Sequence, residues 1–72
     1  MPELVTITID DHVAHVLLNR PEKMNALSWD MFDAIIAAGK EVAANKDIRA
    51  VVLSGEGRGF CAGLDLENFA GG

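Results

Sequence analysis

The chain has 72 residues, enough for one small domain, and a net charge of −5. The acidic balance argues against nucleic acid and against an anionic membrane surface, because both partners require basic patches. The first residues are not a basic leader, and no apolar run is long enough to span a bilayer. A single cysteine fits a reducing compartment. We therefore expect a cytoplasmic protein.

Half of the residues are hydrophobic, which is a high share for so short a chain. A domain of this size usually needs disulfides, a metal or a partner, and the sequence has no cysteine pair and no cluster of metal ligands. We therefore expect residues 1–72 to be the N-terminal segment of one larger domain, whose remainder is absent from this chain and covers its apolar surface. A small self-sufficient domain is the alternative.

The first half of the chain predicts a hairpin. Residues 4–9 alternate apolar side chains with threonine, the period of a strand with one buried face. Asp10, Asp11 and His12 form a short polar break, and residues 13–18 are almost wholly apolar. The second strand ends before Pro21, which cannot donate to a β-ladder.

An amphipathic helix follows. Ser28 is a good N-cap, and the helix runs for about 15 residues to a point near Asn45. Gly39 weakens a helix, so we expect it to mark a close approach to the sheet. The core-facing stripe recurs at intervals of three and four: Met31, Ile35, Gly39 and Val42.

The run 50–53 is continuously apolar, which is typical of a strand buried on both faces. A right-handed crossover through the helix makes this strand parallel to the second one. The predicted fold class is therefore α/β: a hairpin, an amphipathic helix and a buried strand. Glycines at 55, 57 and 59 then form a turn at the carboxyl end of the buried strand, where α/β sheets place their ligands.

Two motifs follow strands. L-N-R-P-E-K-M-N-A-L occupies residues 18–27, and F-C-A-G-L-D-L occupies residues 60–66. In the second motif small residues let the backbone approach a ligand, and Asp65 can begin a helix whose free N–H groups attract an anion. The two motifs, with V-V-L-S-G at 51–55 between them, resemble the crotonase superfamily of enoyl-CoA hydratases and isomerases. The resemblance runs through essentially the whole chain.

The resemblance implies the N-terminal part of a crotonase-type β-β-α spiral. It implies hydration or isomerisation of an enoyl-CoA, in which a backbone oxyanion hole stabilises a thioester enolate. The Leu64 N–H is the implied catalytic donor, and the Ala62 carbonyl receives the adenine amino group. Residues 23–26 lie along the adenine and pantetheine arm. The implied substrate-binding residues are Lys23, Met24, Ala26, Ala62, Gly63, Leu64, Asp65 and Leu66.

The resemblance also implies what this chain lacks. The catalytic carboxylates and the second oxyanion donor of the family lie beyond residue 72, so we expect the isolated chain to be inactive. No metal or redox cofactor is implied, since coenzyme A is part of the substrate. The implied partners are an acyl-CoA, the rest of the same protein and further copies in a homotrimer or a dimer of trimers. Many hydratases carry lysine where this chain has Glu67, so the resemblance does not carry one possible phosphate contact over to this position.

Other interpretations stay open. The chain could be a non-catalytic fragment that packs against the rest of the protein. Residues 57–62 fit the dinucleotide-binding pattern G-x-G-x-x-[GA], although the helix signal arrives only at Asp65. Cys61 is expected to be a small buried thiol rather than a nucleophile. Arg20 could meet a phosphate or hold its loop by binding backbone carbonyls.

Overall fold

The structure, a computed structural model, describes residues 3–70. In chain order its elements are β1 (Val5–Asp10), β2 (Val13–Leu18), a short 3-10 helix (Pro21–Lys23), α1 (Trp29–Ala44), β3 (Ala50–Gly55) and α2 (Leu66–Ala70). None of the helices in the described range combines the length and the apolar character needed to cross a bilayer. The α/β order of hairpin, helix and strand is the predicted one.

The three strands form one sheet in the order β1-β2-β3. β1 and β2 make an antiparallel hairpin, and β3 pairs with β2 in parallel. The hairpin loop consists of Asp11 and His12, whose φ angles are 49° and 67°. Two successive left-handed residues give a loop whose twist matches that of the strands. The predicted hairpin and the predicted parallel pair are both confirmed.

α1 begins where the sequence predicts. The Ser28 side chain accepts a hydrogen bond from the Met31 N–H at 3.1 Å, and Asn45 is the C-cap. The expected close approach at Gly39 is wrong. Gly39 is exposed, and no atom lies within 4 Å of the point that a Cβ would occupy there. The preceding residue, Ala38, is buried instead, because the helix turns that position toward the core.

The core lies between α1 and one face of the hairpin. Ala14, Val16 and Leu18 of β2 are buried, together with Met31 and Ala38 of α1. Alternate residues of a strand share a face, so these three β2 residues all point to the same side. The fully buried Met31 contributes on the order of 1.5–3 kcal/mol through removal of its apolar surface from water.

β3 contradicts the prediction of a strand buried on both faces. Val51, Val52 and Leu53 are 51%, 46% and 51% exposed. α1 packs mainly against β1, at the opposite edge of the sheet, and no described strand pairs with the outer edge of β3. An apolar run indicates surface that favours burial, but burial itself depends on which elements reach the strand.

The parallel pair β2–β3 positions the site. Leu18 lies opposite Gly55, so both strands end at the same edge of the sheet. We call residues 19–27, which follow β2, the first loop, and residues 56–65, which follow β3, the second loop. Two grooves of about 470 and 380 Å³ lie between β1 and α1. None of their lining residues belongs to either loop, so neither groove is the candidate site.

Candidate functional site

The first loop closes on itself through backbone hydrogen bonds of 2.9–3.1 Å, including Asn25 N–H to the Arg20 carbonyl. Met24 and Asn25 both adopt left-handed backbone, with φ 51° and 58°. Asparagine tolerates this conformation, whereas methionine there carries a cost of roughly 1–2 kcal/mol. The strained turn directs the Met24 carbonyl to the second loop, where it accepts the Ala62 N–H at 2.9 Å. The strained backbone at Met24 thus allows a hydrogen bond that joins the two loops.

Asn25 joins the two loops through its side chain and is completely buried. Its Oδ1 accepts the Arg20 N–H at 2.7 Å. Its Nδ2 lies 3.0 Å from each of three carbonyl oxygens in the second loop, those of Glu56, Gly59 and Phe60. A single side-chain amide therefore donates hydrogen bonds to the carbonyl groups of the turn between β3 and the second motif. The sequence interpretation gave this residue no role of its own.

Leu27 and Leu64 form an isolated parallel bridge. The Leu27 N–H donates to the Gly63 carbonyl at 2.7 Å, and the Asp65 N–H donates to the Leu27 carbonyl at 3.0 Å. In a parallel bridge of this kind the residue between the two bonded positions turns its own N–H and carbonyl away from the partner. The Leu64 N–H accordingly has no acceptor among the described residues. It is a fixed donor that faces away from the first loop.

Arg20 and Asp65 link the loops by charge. The Arg20 Nη1 lies 2.8 Å from Asp65 Oδ2 and 3.2 Å from the Ala26 carbonyl oxygen. The other carboxylate oxygen of Asp65 accepts the Asn68 N–H at 3.1 Å. The hydrogen bond from Arg20, followed by the one from Asn68, lowers the pKa of Asp65 from its ordinary value. Of the two roles open for Arg20, the structure has it bind a backbone carbonyl and a carboxylate.

α2 is held against the start of α1. The Trp29 N–H, one of the orphan donors of the first turn of α1, donates to Asn68 Oδ1 at 3.1 Å. The Trp29 and Phe69 rings lie 4.5 Å apart between centroids, and Phe32 completes a three-ring cluster. α2 begins directly after Asp65, where the sequence predicts a helix start, and the contact of Phe69 with Trp29 holds it against α1.

The residues predicted to bind substrate lie together around the Leu27–Leu64 bridge. Met24, Leu64 and Leu66 expose 44%, 55% and 72% of their surface. Ala26 is buried, and its carbonyl is already taken by Arg20. The Lys23 ammonium lies 3.4 Å from a Glu67 carboxylate oxygen, and both side chains are exposed. The accessible groups are those of Lys23, Met24, Ala62, Leu64 and Leu66.

Cys61 is half-buried, and its Sγ lies 3.2 Å from the Asn25 carbonyl oxygen and 3.5 Å from the Gly63 nitrogen. It therefore serves the packing between the loops. The segment after Gly59 does not enter a helix at once, since α2 starts only at Leu66. This geometry differs from the direct strand–turn–helix of a dinucleotide site. Among the described residues no three potential metal ligands cluster together.

Comparison with known sequences identifies the family. The family profile described as enoyl-CoA hydratase/isomerase matches residues 13–71. The chain belongs to the enoyl-CoA hydratase/isomerase family. A peroxisomal Δ(3,5)-Δ(2,4)-dienoyl-CoA isomerase of Arabidopsis thaliana is 37% identical to this family member over 68 residues, which are 94% of the chain and 24% of that relative.

Solved structures of the family share its fold. An enoyl-CoA hydratase from Mycobacterium tuberculosis H37Rv aligns with a TM-score of 0.85 and 42% identity, covering 90% of this chain and 29% of that one. Enoyl-CoA hydratase EchA8_6 from Mycobacterium marinum aligns with a TM-score of 0.89 and 37% identity, covering 94% and 32%. This family member therefore spans about a quarter to a third of these three relatives, and its fold is that of the corresponding segment.

Proposed function

We propose that the full-length protein carrying this chain is an enoyl-CoA hydratase or isomerase in which the Leu64 N–H is one donor of the oxyanion hole. The observation that carries the proposal is the Leu27–Leu64 bridge, which fixes the Leu64 backbone and turns its N–H outward without an acceptor among the described residues. The names of relatives, a dienoyl-CoA isomerase and an enoyl-CoA hydratase, support the acyl-CoA substrate class.

The chemistry explains why a fixed backbone donor is useful. When an enoyl thioester is hydrated or isomerised, negative charge develops on the thioester oxygen as an enolate. A donor that is already oriented stabilises this charge without reorganising, and removal of one such donor costs about 3–4 kcal/mol. The hydrogen bonds of Gly63 and Asp65 to Leu27 hold the peptide on both sides of Leu64. The second donor and the acid–base carboxylates come from the remainder of the protein, so the isolated chain is inactive.

The exposed groups beside Leu64 accommodate coenzyme A. Lys23 and Met24 line the adenine and pantetheine arm, and the Ala62 carbonyl, which accepts no hydrogen bond among the described residues, takes the adenine amino group. Coenzyme A arrives as part of the substrate, and the reaction uses no metal or redox cofactor. Glu67 lies beside Lys23 as one partner of an exposed ion pair. The full-length protein assembles as a homotrimer or a dimer of trimers.

Replacement of the Leu64 amide by an ester tests the proposal directly. The α-hydroxy analogue of leucine at position 64 removes the N–H and retains the side chain. We expect kcat for hydration or isomerisation of an unsaturated acyl-CoA by the full-length protein to fall about 10²–10³-fold. Circular dichroism is used to check that the ester protein is folded.

The matched control is the same ester substitution at Asp30, in the exposed first turn of α1 and outside both loops. It should leave kcat within about twofold, since a first-turn N–H has no intrahelical acceptor to lose. Equal rates for the two ester proteins would exclude Leu64 as a donor. Failure of the unsubstituted full-length protein to convert any unsaturated acyl-CoA would exclude the proposed activity itself.

A further inference from the structure

We infer that Arg20 is a positioning residue that sets the direction of the Leu64 N–H by clamping the two segments that form the Leu27–Leu64 bridge. The inference rests on the proposed function, because it assigns Arg20 to the oxyanion donor. It differs from a phosphate-binding role, in which Arg20 would contact the nucleotide end of coenzyme A.

The position of the clamp is visible in its two acceptors. The Ala26 carbonyl directly precedes Leu27, and the Asp65 carboxylate directly follows Leu64. A single guanidinium nitrogen therefore cross-links the backbone on one side of the bridge to the side chain on the other. Among the described residues, two backbone hydrogen bonds hold the bridge itself. The Arg20 contacts add a second attachment that resists rotation of the Leu64 peptide.

Burial makes the clamp effective. The Arg20 and Asp65 side chains are only 18% and 9% exposed, so water screens their attraction less than it screens a surface pair. Both N–H bonds of Nη1 are used by the two acceptors, which leaves neither of them for a phosphate. The loop is also anchored at its start, because the Arg20 N–H donates to Asn25 Oδ1 at 2.7 Å. The Arg20 backbone is thus held in place while its guanidinium binds the two acceptors.

The experiment compares full-length variants on two substrates: an unsaturated acyl-CoA and the corresponding acyl-pantetheine, which lacks the nucleotide. We expect Arg20→Gln to lower kcat about 10- to 100-fold on both substrates, because small displacements of a catalytic group have effects of this size. A phosphate contact would instead raise KM for the acyl-CoA and leave the pantetheine substrate unaffected. That second pattern would overturn the inference.

A double-mutant cycle separates clamping from general loss of structure. Asp65→Asn keeps an acceptor for the Asn68 N–H and removes the charge that Arg20 binds. If the two residues act through one contact, the double variant loses no more kcat than the more affected single variant. Additive losses would overturn the clamp. Should Arg20→Gln fail to fold, Asp65→Asn alone decides, since unchanged kcat in that variant refutes the inference.

Arg49→Gln is the matched control, because Arg49 lies before β3, is exposed and makes no side-chain hydrogen bond within the described range. It should leave kcat unchanged on both substrates. A loss equal to that of Arg20→Gln would mean that net charge, not the clamp, sets the rate. Turnover by the unsubstituted protein with no loss in the variants refutes the inference alone. No turnover by the unsubstituted protein refutes the proposed function and the inference with it.

Discussion

Replacement of Asn25 by alanine should destabilise the protein far more than its position in a loop suggests. The side chain is completely buried and reaches one N–H and three carbonyl groups. Its Nδ2 has two hydrogens, so the three carbonyls share two donors and the amide makes about three effective hydrogen bonds. Its partners lie five residues upstream and 31–35 residues downstream.

The loss can be estimated from these contacts. Each hydrogen bond contributes about 1 kcal/mol net, and buried groups left without partners add a further penalty. Alanine at a left-handed φ of 58° is also less favourable than asparagine, by about 1 kcal/mol. We expect Asn25→Ala to lower the free energy of unfolding by about 4 kcal/mol. This would be an exceptional value for a loop residue.

Chemical denaturation of the full-length protein, followed by circular dichroism, measures the change. Asn45→Ala is the matched control, because within residues 3–70 the Asn45 side chain accepts one hydrogen bond, from the Asp47 N–H, and the residue is partly exposed. We expect the control to lose about 1 kcal/mol. A loss below 1 kcal/mol at Asn25 would refute the reasoning, since it would mean that water replaces the amide without penalty.

Two further predictions concern the same junction. Gly55→Ala should strongly destabilise the protein, as measured by thermal denaturation, because the new Cβ would clash with the Phe60 carbonyl oxygen and lie 2.7 Å from Asn25 Nδ2. Gly39→Ala, in open space, should be neutral or stabilising. The hydrogen bonds from Arg20 and Asn68 lower the pKa of Asp65 in the folded protein, so they stabilise the fold fully at pH values above the unfolded pKa of 3.8. The stability difference between the protein and Asp65→Asn should therefore be constant near neutral pH and shrink as pH falls below about 4.

Local patterns account for the parts of the fold that could be predicted. The hairpin depends on a polar break of two left-handed residues, and α1 depends on the Ser28 cap, so both signals lie within a few residues of the structure they specify. The burial of β3 depends on which distant elements cover it. Although the residues of β3 are apolar, as a buried strand requires, Val51, Val52 and Leu53 are about half exposed.

In the candidate site, too, the sequence predicts the features that depend on neighbouring residues and misses those that depend on distant ones. In the second motif, small residues next to a helix start at Asp65 predict a ligand-binding loop at a strand end, whereas the role of Leu64 is implied only by the resemblance to the family. The importance of Asn25 arises from carbonyls 31–35 residues away, and no local pattern encodes that distance. One signal was present: an asparagine next to a turn is suited to left-handed backbone. Asn68 is similar, since its acceptor role toward Trp29 appears only when α2 meets α1.

The register of β2 against β3 is the common cause behind these contacts. Leu18 lies opposite Gly55, and the Leu18 carbonyl accepts the Glu56 N–H at 2.8 Å, so the two loops leave the sheet at matching heights. A slip of one residue would displace the second loop by about 3.3 Å and turn its side chains to the other face. Such a shift exceeds the length of every hydrogen bond in the bridge and the clamp. The direction of a single N–H at Leu64 therefore depends on the pairing of β2 with β3, reinforced by Asn25 and Arg20 at the point where the strands end.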